Sequence, residues 1–150
     1  MPKRKSSFSS YLLALLSGAL LPLALAPFAW WPTAIFSLCA LCFLCRGQGM
    51  RGVFALSLVF GFGLYGVGAS WVYVSIHDYG HASVAMASLL TGLFALAMAI
   101  VFALPLSLFG LFRTAPPPAI LFAFPAIWVL GEWFRGWFLT GFPWLNVGYG

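Results

Sequence analysis

An all-α integral membrane fold is expected from this chain, and three observations in the sequence predict it. Hydrophobic residues make up 63 % and charged residues 6 %, against roughly 45–50 % and 25 % in ordinary soluble domains. The apolar residues come in five runs, most of them near the ~20 residues that cross a bilayer core as a helix. The basic residues sit at the ends of those runs, where they act as topology signals. About five transmembrane helices result, with the N-terminus cytoplasmic. The net charge of +5 comes from clustered Lys and Arg without polar surroundings, which excludes the basic face of a nucleic-acid binder.

The first run, Phe8–Ala26, follows a basic tail of Lys3, Arg4 and Lys5. It has the outline of a signal peptide, and Ala24-Leu25-Ala26 resembles a cleavage site. Pro27 would follow the cut and is a poor substrate, so the expectation is an uncleaved first helix. The second, third, fourth and fifth runs are Trp30–Cys45, Gly52–Val72, Ser83–Phe112 and Ala119–Trp133. The second and fifth look short. The fourth is long enough to tilt or to break near Pro105. Pro22 and Pro125 fall within spans, where neighbouring helices can re-satisfy the freed carbonyls.

Five crossings put Lys3, Arg4, Lys5, Arg46, Arg51 and Arg113 on one side, the cytoplasmic side by the positive-inside rule. The other side receives the Pro27–Pro32 turn, the Trp71–Ala82 loop and the Glu132–Gly150 segment. Those outer segments carry Phe28, Trp30, Trp31, Trp71, Tyr73, Tyr79, Trp133, Trp137, Phe142, Trp144 and Tyr149, while RGQGMRG and RTAPPPA carry no aromatic residue. An interfacial belt explains many such rings. A belt on one face alone also suits a surface for a lipid or a partner domain.

Four local patterns carry chemistry, each with a structural alternative. Cys39, Cys42 and Cys45 fall at about 0°, 300° and 240° around a helix, a splayed face and not a tetrahedral cage. Small buried thiols, or acylation of Cys45 beside Arg46, are the alternatives to metal. His77, Asp78 and His81 lie in the second outer loop, where a zinc site would want a further protein ligand and Glu132 is the only other acid available. No metal or other cofactor is therefore expected. Gly61, Gly63, Gly66, Gly68 and Ala69 suit close helix packing or a narrow groove for an acyl chain. Glu132 and Arg135, at i and i+3, can pair on one helix face; alternatively Arg135 offers its planar fork to a phospholipid phosphate or an outer domain. Thr140 to Trp144 forms a rigid turn in which Pro143 fixes its own φ and restricts Phe142.

The run Glu132-Trp-Phe-Arg-Gly-Trp-Phe-Leu-Thr-Gly-Phe-Pro-Trp-Leu resembles the corresponding stretch of bacterial apolipoprotein N-acyltransferases. Gly61-Phe-Gly-Leu-Tyr-Gly, Trp71-Val-Tyr-Val-Ser-Ile and the Ala26-Pro27-Phe28 turn are similar to the same family, in the same order. The resemblance implies a multi-pass protein of the bacterial inner membrane carrying a periplasmic nitrilase-like domain. It implies transfer of an acyl chain from a phospholipid donor to the N-terminal diacylglyceryl-cysteine of an apolipoprotein, by a monomeric enzyme. The family's Glu-Lys-Cys triad, with a thiolate nucleophile, cannot be assembled from this chain. Lys3 and Lys5 lie in the tail, Cys39, Cys42 and Cys45 in the second helix, and Glu132 on the opposite side.

No catalytic residue is assigned. The expected organisation is a basic tail over 1–7, a helical bundle over 8–133, and an outward-facing aromatic segment over 134–150 leading to a nitrilase-like domain and further helices beyond Gly150. By itself the 150-residue chain is expected to be inactive. The candidate lipid-facing or domain-docking residues are Trp71, Tyr73, Glu132, Arg135, Phe142 and Trp144. A transporter or channel subunit would bury charges mid-helix or show paired broken helices, and neither pattern is present. A non-catalytic membrane scaffold is the remaining alternative.

Overall fold

The computed structural model describes residues 7–138 and 141–149. Among them every regular element is helical. Helix α1 (Phe8–Leu20) starts at Ser7, whose hydroxyl accepts from the Ser10 N–H, the usual way of satisfying an orphan donor in the first turn. At Pro22, which has no N–H to continue an α-helix, it tightens into a 3₁₀ turn, Leu21–Ala24. Helix α2 (Trp31–Cys45) begins with Pro32 in its first turn, where the missing N–H is harmless. Helix α3 spans Met50–Gly68. A short α4 (Trp71–Val74) runs into a π turn, Ser75–Tyr79. Helix α5 (Val84–Leu106), capped by Ser83, becomes 3₁₀ over Ser107–Phe112, just past Pro105. Helix α6 covers Pro117–Arg135, and a 3₁₀ turn follows at Val147–Tyr149.

Three helices are long and apolar enough to cross a membrane, Met50–Gly68, Val84–Phe112 and Pro117–Arg135, and two shorter apolar ones, Phe8–Ala24 and Trp31–Cys45, accompany them. The fifth run is therefore longer than its sequence suggested. Pro117 and Pro118 suit a helix start, so α6 begins ahead of Ala119. The third run is shorter at its outer end. It stops at Gly68 instead of Val72, because a glycine-rich last turn holds a helix weakly and the chain re-forms as α4. The fourth run changes pitch near Pro105, as its sequence predicts.

Helix α3 is the centre of the bundle, packed against α1 on one side and α5 on the other. Its small residues make this possible. A Cβ at Gly63 would collide with the Leu15 carbonyl of α1, and one at Gly61 would come within 3.0 Å of Ala99 on α5. Gly68 lies against Leu145, while Gly66 has open space. Close packing, not an acyl groove, accounts for three of these four glycines. The rest of the core is aromatic: Phe60 stacks on Phe102 at 5.8 Å, and Trp128 of α6 meets both edge-on.

The bundle perimeter exposes Leu13, Leu16, Phe36, Leu89, Leu93, Leu121 and Phe122, all more than half accessible. Water would not tolerate so continuous an apolar surface; lipid would. The helix ends sort into two groups. An Arg113 guanidinium nitrogen lies 4.0 Å from where a Cβ on Gly49 would sit, so the α2–α3 and α5–α6 loops share one end. Trp71 meets Trp144 at 6.3 Å at the opposite end. Lys3, Arg4 and Lys5 lie outside the described residues.

Candidate functional site at the aromatic end

The last turn of α6 delivers Glu132 and Arg135 to the end opposite Arg113. There Gly136 closes the helix, its N–H bonding back to the Glu132 and Trp133 carbonyls. The chain then reverses. Gly141 adopts φ +83, and a Cβ on it would strike the Gly136 carbonyl, so both its backbone and its space demand glycine. The Phe142 N–H donates to the Arg135 carbonyl at 3.0 Å. Leu145 takes φ +63, unusual for a side chain of that size, and its methyls rest against Gly68. Thr140, counted in the sequence with this turn, lies outside the described residues.

The reversal lays Asn146 and Val147 beside the end of α6. The Glu132 carboxylate accepts the Val147 N–H at 2.8 Å, and an Arg135 Nη2 N–H donates to Asn146 Oδ1. The expected Glu132–Arg135 ion pair does not form. Each charge is instead engaged by the returning segment, which supplies an N–H to the acid and an amide oxygen to the base. Arg135 is only 2 % exposed. Its guanidinium carbon lies 5.7 Å over the Tyr65 ring, a cation–π contact worth up to about 2 kcal/mol when desolvated. Its Nε and the Tyr65 hydroxyl are both buried and find no hydrogen-bond partner among the described residues.

The six candidate residues do not form one cluster. Trp71 and Trp144 pair by their rings, 61 % of Trp144 remaining exposed. Phe142 turns inward, edge-on to Phe94 at 5.4 Å and to Tyr65 at 6.5 Å. Glu132 and Arg135 share the returning segment. Tyr73 lies apart, its ring 5.4 Å from that of His77. In that loop His77 Nδ1 is 2.8 Å from the Ala82 carbonyl, which can only accept, so this nitrogen carries the proton; Nε2 lies 3.9 Å from Asp78.

Tyr65, Phe94 and Asn146 belong to the site and were not among the candidates. Asn146 is the only asparagine in the chain, and Tyr65 the only polar side chain within its glycine run; both were signals. Nothing local marks Phe94. The three cysteines are splayed as their spacing predicts: Cys39 exposed, Cys42 half-buried, Cys45 buried. Cys39 and Cys42 line an apolar groove of about 410 Å³ between α2 and α6, with Trp128 and Glu132 among its other walls. Cys45, 2 % exposed, is not presented for acylation.

Residues 17–150 match the family described as the apolipoprotein N-acyltransferase N-terminal domain. The chain is 53 % identical over 140 residues to an apolipoprotein N-acyltransferase of Azotobacter vinelandii, covering 92 % of this chain and 27 % of that one. It is 49 % identical to the enzyme so named in Pseudomonas paraeruginosa, over 97 % of this chain and 29 % of the relative. Against that of Coxiella burnetii it is 47 % identical over 91 % and 29 %. The chain spans less than a third of the length of each of these relatives.

Proposed function

The chain belongs to the apolipoprotein N-acyltransferase family, and on that premise we propose that it is the membrane portion of an enzyme that acylates lipoproteins. In this proposal a phospholipid donates an acyl chain to the N-terminal diacylglyceryl-cysteine of an apolipoprotein. The chemistry belongs to a periplasmic nitrilase-like domain carried by the longer protein, and the 150-residue chain alone has no turnover. The observation that carries the proposal is the match across residues 17–150, with identities near one half to relatives of that name.

The basic loops face the cytoplasm and the aromatic end faces the periplasm of the inner membrane. Support for this comes from the grouping of Arg46, Arg51 and Arg113 at one end, away from the tryptophans. Residues 1–7 then form the cytoplasmic tail and 134–150 the segment that leads towards the catalytic domain. Trp71, Trp144 and Glu132 serve as the surface on which that domain docks or to which lipid is admitted. Tyr73 belongs to the same proposal from its separate place beside His77, and Arg135 and Phe142 form the floor.

A chimera tests the proposal, with this chain replacing the equivalent N-terminal portion of the Azotobacter vinelandii relative. Transfer of a fluorescent acyl group from phospholipid to a diacylglyceryl-cysteine peptide should persist, and Arg135→Ala should slow it while leaving the protein inserted. A chimera that inserts but transfers nothing overturns the assignment; unchanged turnover in Arg135→Ala removes that residue from the site. Sidedness is tested in a variant free of native cysteines. A cysteine at position 144 should react with an impermeant maleimide from the periplasm, and one at 113 only from the cytoplasm.

A further inference from the structure

The groove between α2 and α6 brings together two thiols and one buried donor, and the proposed acyl transfer uses none of them. Helix α2 packs chiefly on α1, and α6 chiefly on α5. The two therefore face each other across about 410 Å³, within the range of small-molecule sites, roughly 300–1,000 Å³. Its side-chain walls are hydrocarbon apart from Cys39 and Cys42 on α2, Trp128 on α6, and Glu132 towards the outer end.

Trp128 is 6 % exposed, and its indole N–H finds no acceptor among the described residues. The rings of Phe60, Phe102 and Phe124 beside it carry no oxygen. Seven residues, ~10 Å of helix, separate Trp128 from Arg135 at the outer end, so the indole lies at hydrocarbon depth. A buried donor there is costly unless something accepts its proton. Plain hydrocarbon offers no acceptor at that depth; a carbonyl does.

Cys39 and Cys42 face the same space, Cys39 exposed, Cys42 half-buried, and both free. At i and i+3 on an α-helix their Cα atoms are ~5 Å apart. That falls inside the roughly 4.4–6.8 Å that a disulfide spans. A thiol pair in hydrocarbon needs an oxidant that dissolves there. Quinones do so, act as the terminal oxidant for dithiols in bacteria, and carry carbonyl oxygens.

We infer that the α2–α6 groove is a quinone site. Trp128 Nε1–H donates to a quinone carbonyl, and Cys39 and Cys42 are oxidised to a disulfide. Both S–H bonds break and one S–S bond forms, while two electrons and two protons pass to the quinone, which leaves as the quinol. No net charge is left in the apolar space. The step goes beyond acyl transfer and shares only its membrane setting.

The test uses the 150-residue chain in uncharged maltoside micelles, reduced and kept free of oxygen. The probe is a fully substituted decyl benzoquinone, whose ring has no free position for thiol addition. Thiols are counted by mass after denaturation and maleimide labelling. The count should fall from the three free cysteines to one, with one equivalent of quinol formed. Cys39→Ser and Cys42→Ser should each keep both remaining thiols at the same quinone concentration. Trp128→Phe should need at least tenfold more quinone for half-oxidation. If that variant fails to fold, Leu38→Trp narrows the groove from α2 and should raise the requirement by the same factor. A count that stays at three overturns the proposal, as does a disulfide formed between molecules. Half-oxidation at an unchanged quinone concentration in whichever of Trp128→Phe and Leu38→Trp folds would overturn the groove as the site. Turnover is not read, so these outcomes are distinct from failure of the acyl-transfer chimera.

Discussion

The two ends of the bundle handle arginine in opposite ways. At one end Arg46, Arg51 and Arg113 are all exposed, at helix ends beside short loops of glycine and proline. At the other, Arg135 is buried under a returning segment, with an aromatic face below it and an amide oxygen beside it. An exposed guanidinium in water interacts weakly with anything nearby, so its value lies in which side of the membrane it holds. A buried one must be matched atom by atom, and its surroundings are correspondingly specific. The first kind of arginine can be exchanged for another base; the second cannot.

Four substitutions sharpen or break that contrast. The largest effect is expected from Asn146→Leu, which leaves the Arg135 guanidinium without its side-chain acceptor in a dry site. A loss of about 3 kcal/mol is expected, read as a shifted unfolding midpoint in mixed micelles; a loss no greater than that of an exposed substitution would contradict the burial. Gly141→Ala forces a Cβ onto a left-handed backbone and into the Gly136 carbonyl, and about 2 kcal/mol should be lost by the same measurement. Trp144→Ala removes the ring pair with Trp71. A double-mutant cycle with Trp71→Ala should return a coupling of about 1 kcal/mol, and a coupling of zero would make the two rings independent belt residues. Smallest is Arg113→Gln at the opposite end, where less than about 0.5 kcal/mol is expected. A large loss there would erase the distinction between the ends.

Much of the fold is legible in the sequence. Runs of apolar residues locate helices without reference to neighbours, because lipid requires each span to satisfy its own backbone. Pro105 marked the change of pitch at the end of α5, whereas Pro22, expected to sit within a continuous span, tightens the end of α1 into a 3₁₀ turn. The site was less legible. Glu132 and Arg135 were singled out as charges needing a reason, yet the pairing expected from their spacing is replaced by bonds to Val147 and Asn146. Spacing along one helix says which side chains can meet, but not what a returning chain will offer them instead. Tyr73 illustrates the same limit: its neighbours in sequence suggested a place in the aromatic surface, whereas its ring lies with His77.

The sequence by itself determined that this is a helical membrane protein, where its spans fall within a few residues, and which family it resembles. These are properties of composition and local pattern, which each segment carries alone. Only the tertiary structure decided that Arg135 lies over Tyr65, that Phe94 and Phe142 close a cavity beside it, and that Asn146 answers the charge. Those contacts join residues from α3, α5, α6 and the segment beyond, and their partners are chosen by how helices pack and where the chain turns back.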